Sequence, residues 1–218
     1  MPVADLTTPY RRRLRRTARL LLHPTRIRRR LRWRRRALDR NRLLSLLPKD
    51  GVCAEIGTWR GDFAAAILSA SSPGQLYLVD SWEYRTEEKY EQACYGGHAQ
   101  AGQEGMDAMY QRVIDRFRSE IDSGRILVQR ARSVDAAASF SDESLDWVYI
   151  DADHSYEGVK RDLDAYYRVV KSGGFLAGDD YGREDRWFGL GVTQAVDEFA
   201  GRCAELTIIG TQFLLKKP

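Results

Sequence analysis

The sequence predicts an α/β domain in which a seven-stranded, mostly parallel sheet is covered by helices on both faces and finished by a C-terminal antiparallel hairpin. A basic helical arm precedes it. Three observations predict this. Short apolar runs alternate with helix-period segments from residue 52 onward. Carboxylates and glycines follow directly on several of those runs, where parallel sheets place their ligands. Charge also changes sign along the chain. Residues 1–42 hold 16 arginines and two aspartates, leaving 19 basic and 29 acidic residues beyond them, so the formal net charge of +4 joins a strongly basic arm to an acidic body.

The arm spans residues 1–47. Pro24 divides it, and Ile27, Leu31 and Leu38, then Leu43, Leu44 and Leu47, continue an apolar side at near-helical spacing, with Trp33 among arginines. Residues 48–218 form the α/β domain. Val52–Gly57 reads as its first strand and Arg60–Ala70 as a helix ended by Ser71-Ser72-Pro73-Gly74. Gln75–Asp80 is the second strand. Residues 83–104 are polar and irregular. Met106, Tyr110, Val113, Phe117 and Ile121 then mark one helix ending near Gly124. Arg125–Gln129 is the third strand, Ser133–Phe140 a short helix and Leu145–Ile150 the fourth strand. The next helix carries Val159, Leu163 and Val170 on one face, with Ser155 to cap its start and Gly173 to close its end. Phe175–Gly178 is the fifth strand and Val192–Phe199 the last helix. Leu206–Ile209 and Phe213–Leu215 flank a tight Gly210-Thr211 turn.

Composition excludes several classes. No apolar run approaches the roughly 18–20 residues that cross a bilayer, and Ala18–Leu22 is too short for a secretory core. Cys53, Cys94 and Cys203 are odd in number and far apart, which argues against a disulfide framework or a zinc site and for a reducing, cytoplasmic setting. The arm suits a second subunit or the acidic body, or an anionic membrane surface to which the protein would bind peripherally. Nucleic acid is a weaker reading.

The first strand ends in Glu55-Ile56-Gly57-Thr58-Trp59-Arg60-Gly61. Gly57 and Gly61 permit a tight turn that brings backbone N–H groups toward a ligand. The three glycines by which a dinucleotide pyrophosphate is approached are not present, since the middle one is missing. A ligand with an adenosine and no phosphate, such as S-adenosylmethionine (SAM), would not need it, and its cationic groups favour acidic neighbours. Asp80 ends the second strand and can accept both ribose hydroxyls. Ser81 and Trp82 follow it. Trp82 either flanks the adenine or packs in the core. Ser133 either reaches the adenine edge or caps a helix.

Four motifs in order, E-I-G-T-W-R-G, L-Y-L-V-D-S-W, D-W-V-Y-I-D-A-D-H-S-Y and K-S-G-G-F-L-A-G-D-D-Y, resemble the Rossmann-like class I SAM-dependent methyltransferases. Within them the chain is similar to the small-molecule branch that includes the macrolide-sugar (macrocin) O-methyltransferases. The resemblance spans about residues 50–216 and leaves the arm outside. It implies a SAM site formed by Glu55, Gly57, Thr58, Gly61, Asp80, Ser81, Trp82, Ser133 and Asp151.

The fourth strand delivers Asp151-Ala152-Asp153-His154, and the fifth delivers Asp179-Asp180. Carboxylates converging on one sheet edge repel one another unless a hard cation such as Mg²⁺ joins them. The resemblance implies Asp151, Asp179 and Asp180 as its ligands, with His154 as general base and Asp151 also catalytic. The implied acceptor is a small-molecule hydroxyl, foremost that of a sugar in a secondary metabolite or envelope glycan. Arg60 and Tyr156 are neighbours of the site. The 83–104 stretch suits a lid, with Tyr84, Tyr90, Tyr95 and His98 as acceptor contacts, or equally a structural insert or a dimer contact. Two other readings compete. One is a sugar-nucleotide transferase, because Asp151-Ala152-Asp153 is literally D-x-D. The other is a non-catalytic membrane- or nucleic-acid-binding protein on the same fold.

Overall fold

The computed structural model describes residues 24–87, 90, 95 and 102–218. The chain divides into two units, Met1–Leu38 and Asp39–Pro218. In the first unit, the described residues belong to helix α1 (Pro24–Leu46), where Leu31, Trp33 and Leu38 are exposed. No described helix is long and apolar enough to cross a membrane.

The second unit holds the sheet. Its strands are β1 (Val52–Ile56), β2 (Gln75–Asp80), β3 (Ile126–Arg130), β4 (Leu145–Ile150), β5 (Val170–Gly178), β6 (Glu205–Ile209) and β7 (Gln212–Lys216). They lie in the order β3-β2-β1-β4-β5-β7-β6. β1 through β5 pair in parallel, and β7 runs antiparallel to both β5 and β6. The remaining helices are α2 (Asp62–Ser71), α3 (Gly102–Arg116), α4 (Arg118–Asp122), α5 (Ser133–Ser139), α6 (Tyr156–Val169) and α7 (Gly191–Ala200). The sheet class, its hairpin and its helical layers are those expected. Residues 39–47, read with the arm because Leu43, Leu44 and Leu47 continue its apolar side up to Pro48, group with the sheet-bearing unit.

Strand periodicity sorts side chains into two cores. Ala54, Ile56, Val148 and Ile150 meet α5, α6 and α7 through Ala136, Val159, Leu163, Val196 and Phe199. Cys53, Leu76, Leu78, Trp147 and Tyr149 face the other way and meet Phe63, Ile67, Met106 and Val113 of α2 and α3. The end of α1 joins this second core. Leu43 and Leu44 are fully buried, each worth about 1.5–3 kcal/mol in hydrophobic transfer.

Two local expectations are corrected. The helix expected to run unbroken from Met106 through Ile121 breaks at Phe117, whose backbone (φ −110°) leaves the helical region and caps α4. Gly173 does not close α6. That helix ends at Val169 because Val170 already pairs with Leu145 of β4. Gly173 instead sits at φ +74° in an irregular excursion of β5 before pairing resumes at Trp147 and Phe175. The Ser155 cap is present, its hydroxyl accepting from the Gly158 N–H at 3.2 Å.

Candidate active site at the carboxyl ends of the strands

Strand order reverses direction on either side of β1 and β4, which is where open parallel sheets form a ligand crevice. The turn after β1 is built around Gly57. Its N–H donates to Val79 O at 2.8 Å, and Asp151 N–H donates to Ile56 O at 2.8 Å, so β1, β2 and β4 end together. Gly57 has φ +93°, and a Cβ there would lie 2.1 Å from the Asp151 carbonyl oxygen. Only glycine permits this approach. At Gly61 (φ +73°) a Cβ would meet the Phe117 ring at 2.6 Å.

Asp80 is tied to that turn. One carboxylate oxygen accepts the Trp59 N–H at 2.8 Å; the other accepts the Trp82 N–H at 2.8 Å and the Tyr95 hydroxyl. Burial pushes the Asp80 carboxyl up, partly countered by these hydrogen bonds and by Arg130. Beneath the turn, Glu55 is buried and its pKa stands well above the usual range, through burial first and then despite the charge of Arg40. Glu55 Oε2 and Thr58 Oγ1 are buried without a hydrogen-bond partner. Orphaned buried oxygens beside a tight glycine turn are what a bound cationic, hydrogen-bonding ligand would satisfy.

The other expected cofactor residues divide. Ser81 Oγ accepts the Glu83 N–H at 3.3 Å and lies 3.5 Å from the Tyr95 hydroxyl, close to Asp80. Trp82 is fully buried, donates Nε1–H to Trp59 O at 3.0 Å and packs its ring 5.0 Å from that of Tyr110. This is the packing role of the two open to it. Ser133 directs its hydroxyl to the carboxylate of Asp162 on α6, and its carbonyl accepts from the Tyr166 hydroxyl at 2.9 Å. Burial raises Asp162 to about 7, and its Oδ2 has no partner.

The second half of the site is a carboxylate cluster. His154 Nε2 lies 3.0 Å from Asp151 Oδ1 and 3.3 Å from Asp180 Oδ2. One ligand atom from each of Asp151, His154 and Asp180 lies within 4.8 Å of the others, a spacing that could hold a metal ion. Asp180 holds a left-handed φ of 65°, uncommon for a residue with a side chain. Burial by itself would lower the His154 pKa, but the Asp151 hydrogen bond and the charges of Asp151, Asp180 and Asp179 outweigh it and hold it above the ordinary value. The imidazole stacks on Phe188 at 4.9 Å between ring centroids.

Asp179 is adjacent and differently engaged. Its Oδ1 accepts from Asp180 N–H at 2.7 Å and Thr211 Oγ1 at 2.6 Å. Its Oδ2 accepts Arg40 Nε–H at 3.2 Å and Nη2–H at 2.9 Å, while the same Nη2 reaches Asp151 Oδ2 at 2.6 Å. Asp153 is not among the residues whose ligand atoms converge. It accepts Ser155 N–H at 2.9 Å and the Tyr90 hydroxyl at 3.0 Å, and the absence of a Cβ at Gly158 makes room for it. Asp151 and Asp153 thus point to different tasks, which weakens the D-x-D reading.

Of the proposed lid contacts, Tyr90 and Tyr95 reach Asp153 and Asp80 respectively. Tyr84 is exposed. His98 lies outside the described residues. Arg60 lies over the Trp59 ring, and the Tyr156 hydroxyl donates to Glu198 at 2.6 Å, so neither faces the carboxylates. Arg40, Phe188 and Thr211 are site residues that the motifs do not mark. For Arg40 a signal exists: Leu43, Leu44 and Leu47 follow it at the 3, 4 and 7 spacing of one helix face.

A family model described as a methyltransferase domain matches residues 54–181. Among solved structures, the O-methyltransferase NovP is similar at TM-score 0.57 and 19% identity, over 84% of this chain and 79% of that one. Spermidine synthase from Thermotoga maritima is similar at TM-score 0.50 and 14% identity, over 80% of this chain and 55% of that one. These likenesses carry the fold. A curated relative, uncharacterized protein R132 of Acanthamoeba polyphaga mimivirus, is 42% identical over 43 residues, which is 20% of this chain and 19% of that protein's length.

Proposed function

Because the chain belongs to the methyltransferase-domain family, we propose that it is a class I SAM-dependent enzyme that methylates a hydroxyl oxygen of a small molecule, foremost a sugar, with His154 as base and a hard divalent cation beside it. The observation that carries this is the placement of His154 Nε2 between Asp151 and Asp180 at the ends of β4 and β5.

SAM, when bound, supplies a methyl carbon already activated by its sulfonium. The turn shaped by Gly57 and Gly61 would receive it, with Asp80 to accept the ribose hydroxyls, Thr58 and Ser81 to offer hydroxyls, and Glu55 and Asp151 to complement its cationic end. A hard divalent cation, such as Mg²⁺, would be held by Asp151, Asp180 and Asp179 and would lower the acceptor pKa as a Lewis acid. The donor set fits it: ligand atoms of Asp151, Asp180 and His154 converge, and Asp179 stands beside them on Arg40.

A sugar hydroxyl attacks poorly until its proton leaves. Asp151 orients the imidazole through Nε2, which leaves Nδ1 to take that proton. Phe188 fixes the ring plane from the other side. The nearby tyrosines of the 83–104 stretch would shield the reacting groups from water. Methyl transfer from radiolabelled SAM to a panel of glycosides and phenols tests the reading. Transfer to oxygen that stops with EDTA and returns with Mg²⁺ is expected; transfer to nitrogen, or transfer indifferent to EDTA, contradicts it.

We further propose that the arm meets an anionic membrane surface. Leu31, Trp33 and Leu38 are exposed between arginines, the pairing of apolar anchors and cationic groups that such surfaces bind.

A further inference from the structure

Arg40 enters the carboxylate cluster from α1. Its guanidinium bridges Asp151 and Asp179 through three hydrogen bonds and lies 4.6 Å from the Phe63 ring centroid and 5.7 Å from that of Tyr149. The planar fork suits both partners, and the group is permanently charged. Its position is fixed from behind. Leu43 and Leu44 are fully buried and Leu47 nearly so, while Asp39 packs against Gly210 of the β6–β7 turn, where a Cβ would come within 2.2 Å of Asp39 Oδ2.

We propose that Arg40 is a resident cation that competes with a divalent metal for Asp151 and Asp179, so that seating of the end of α1 sets the metal affinity of the site. The inference rests on the reading of the Asp151, His154 and Asp180 cluster as a cation site. With the guanidinium in place, Asp179 gives one oxygen to Arg40 and the other to Thr211 and the Asp180 N–H. Asp151 divides its oxygens between Arg40 and His154. Asp179 accordingly stands outside the group whose ligand atoms converge. Divalent affinity grows with the number and charge of carboxylate ligands. Removing Arg40 removes one positive charge and the hydrogen bonds it makes to Asp151 Oδ2 and Asp179 Oδ2. Linkage makes the competition mutual: an ion that claims Asp151 weakens the hold of Arg40 by the same factor.

The test is Mn²⁺ binding to the full chain without SAM, read by electron paramagnetic resonance. Arg40→Gln is expected to bind Mn²⁺ at least tenfold more tightly than the wild type, and Arg40→Lys, which keeps the charge, within about threefold of it. Wild-type binding with equal or weaker binding by Arg40→Gln overturns the competition alone. No Mn²⁺ binding by any of the three overturns the cation site and the competition with it. Should Arg40→Gln fail to fold, hydrogen exchange on the wild type decides: Mg²⁺ is expected to speed amide exchange across residues 39–46, and unchanged or slower exchange overturns the proposal.

Discussion

The Trp59 N–H donates to the Asp80 carboxylate at 2.8 Å, fastening the glycine turn after β1 to the end of β2. One side chain thereby holds the position of the turn, and under the proposed function the same carboxylate would accept the ribose hydroxyls. Asp80→Ala strands the N–H groups of Trp59 and Trp82, and a buried unsatisfied donor costs about 1–3 kcal/mol. Urea unfolding is expected to show a loss of about that size. Asp80→Asn, which keeps one acceptor oxygen, is expected to lose less. Equal stability of all three proteins would contradict the structural half of the role.

His154 must be neutral to accept a proton, and the carboxylates around it raise its pKa. Methyl transfer is therefore expected to rise with pH as the imidazole loses its proton, and in the metal-free protein an NMR titration is expected to place His154 above the ordinary histidine value of about 6.5. His154→Gln is expected to lose about 10²–10⁴-fold in rate and the pH dependence with it. A variant that keeps the wild-type pH profile would assign the proton to another group.

Asp162 remains a neutral acid from the ordinary aspartate value of about 4 up to about 7, because burial raises it to about 7. Its protonated form belongs to the folded state. The stability this contributes is complete below the ordinary carboxylate value and is lost as pH rises through about 7. Asp162→Asn removes the titration. The wild type is expected to lose on the order of a few kcal/mol relative to that variant between pH 4 and pH 7. Parallel pH–stability curves for the two proteins would refute this.

The exposed Leu31, Trp33 and Leu38 of α1 predict salt-sensitive association with vesicles containing anionic lipid and none with neutral vesicles. Replacing Trp33 and Leu38 with serine is expected to reduce co-sedimentation several-fold. Equal binding of both proteins to both vesicle types would remove the membrane proposal and leave the methyltransferase domain untouched.

Much of this was legible because strand ends are periodic. Asp80, Asp151, Asp179 and Asp180 each follow directly on an apolar run, so their arrival at one sheet edge was implied by the parallel topology. Gly57 was legible for its backbone freedom. The balance at Trp82 and Ser133 was not, because adenine contact and core packing ask for the same residue types, and only burial and the Asp162 partnership separate them. Gly173 misled because a glycine after a helical pattern also suits an irregular strand, and Val170 reaches its partner on β4 first. Arg40 was hidden by its own surroundings. Sixteen arginines crowd residues 1–42, and only the spacing of Leu43, Leu44 and Leu47 singles out the one whose helix face turns into the protein.

Titration of SAM into the protein by calorimetry, for the wild type and Asp80→Asn, probes the adenosine pocket directly. One SAM per chain is predicted for the wild type, with affinity at least tenfold weaker in the variant, a difference of about 1.4 kcal/mol or more. No heat from SAM at high protein concentration, or equal affinity in the two proteins, would contradict it.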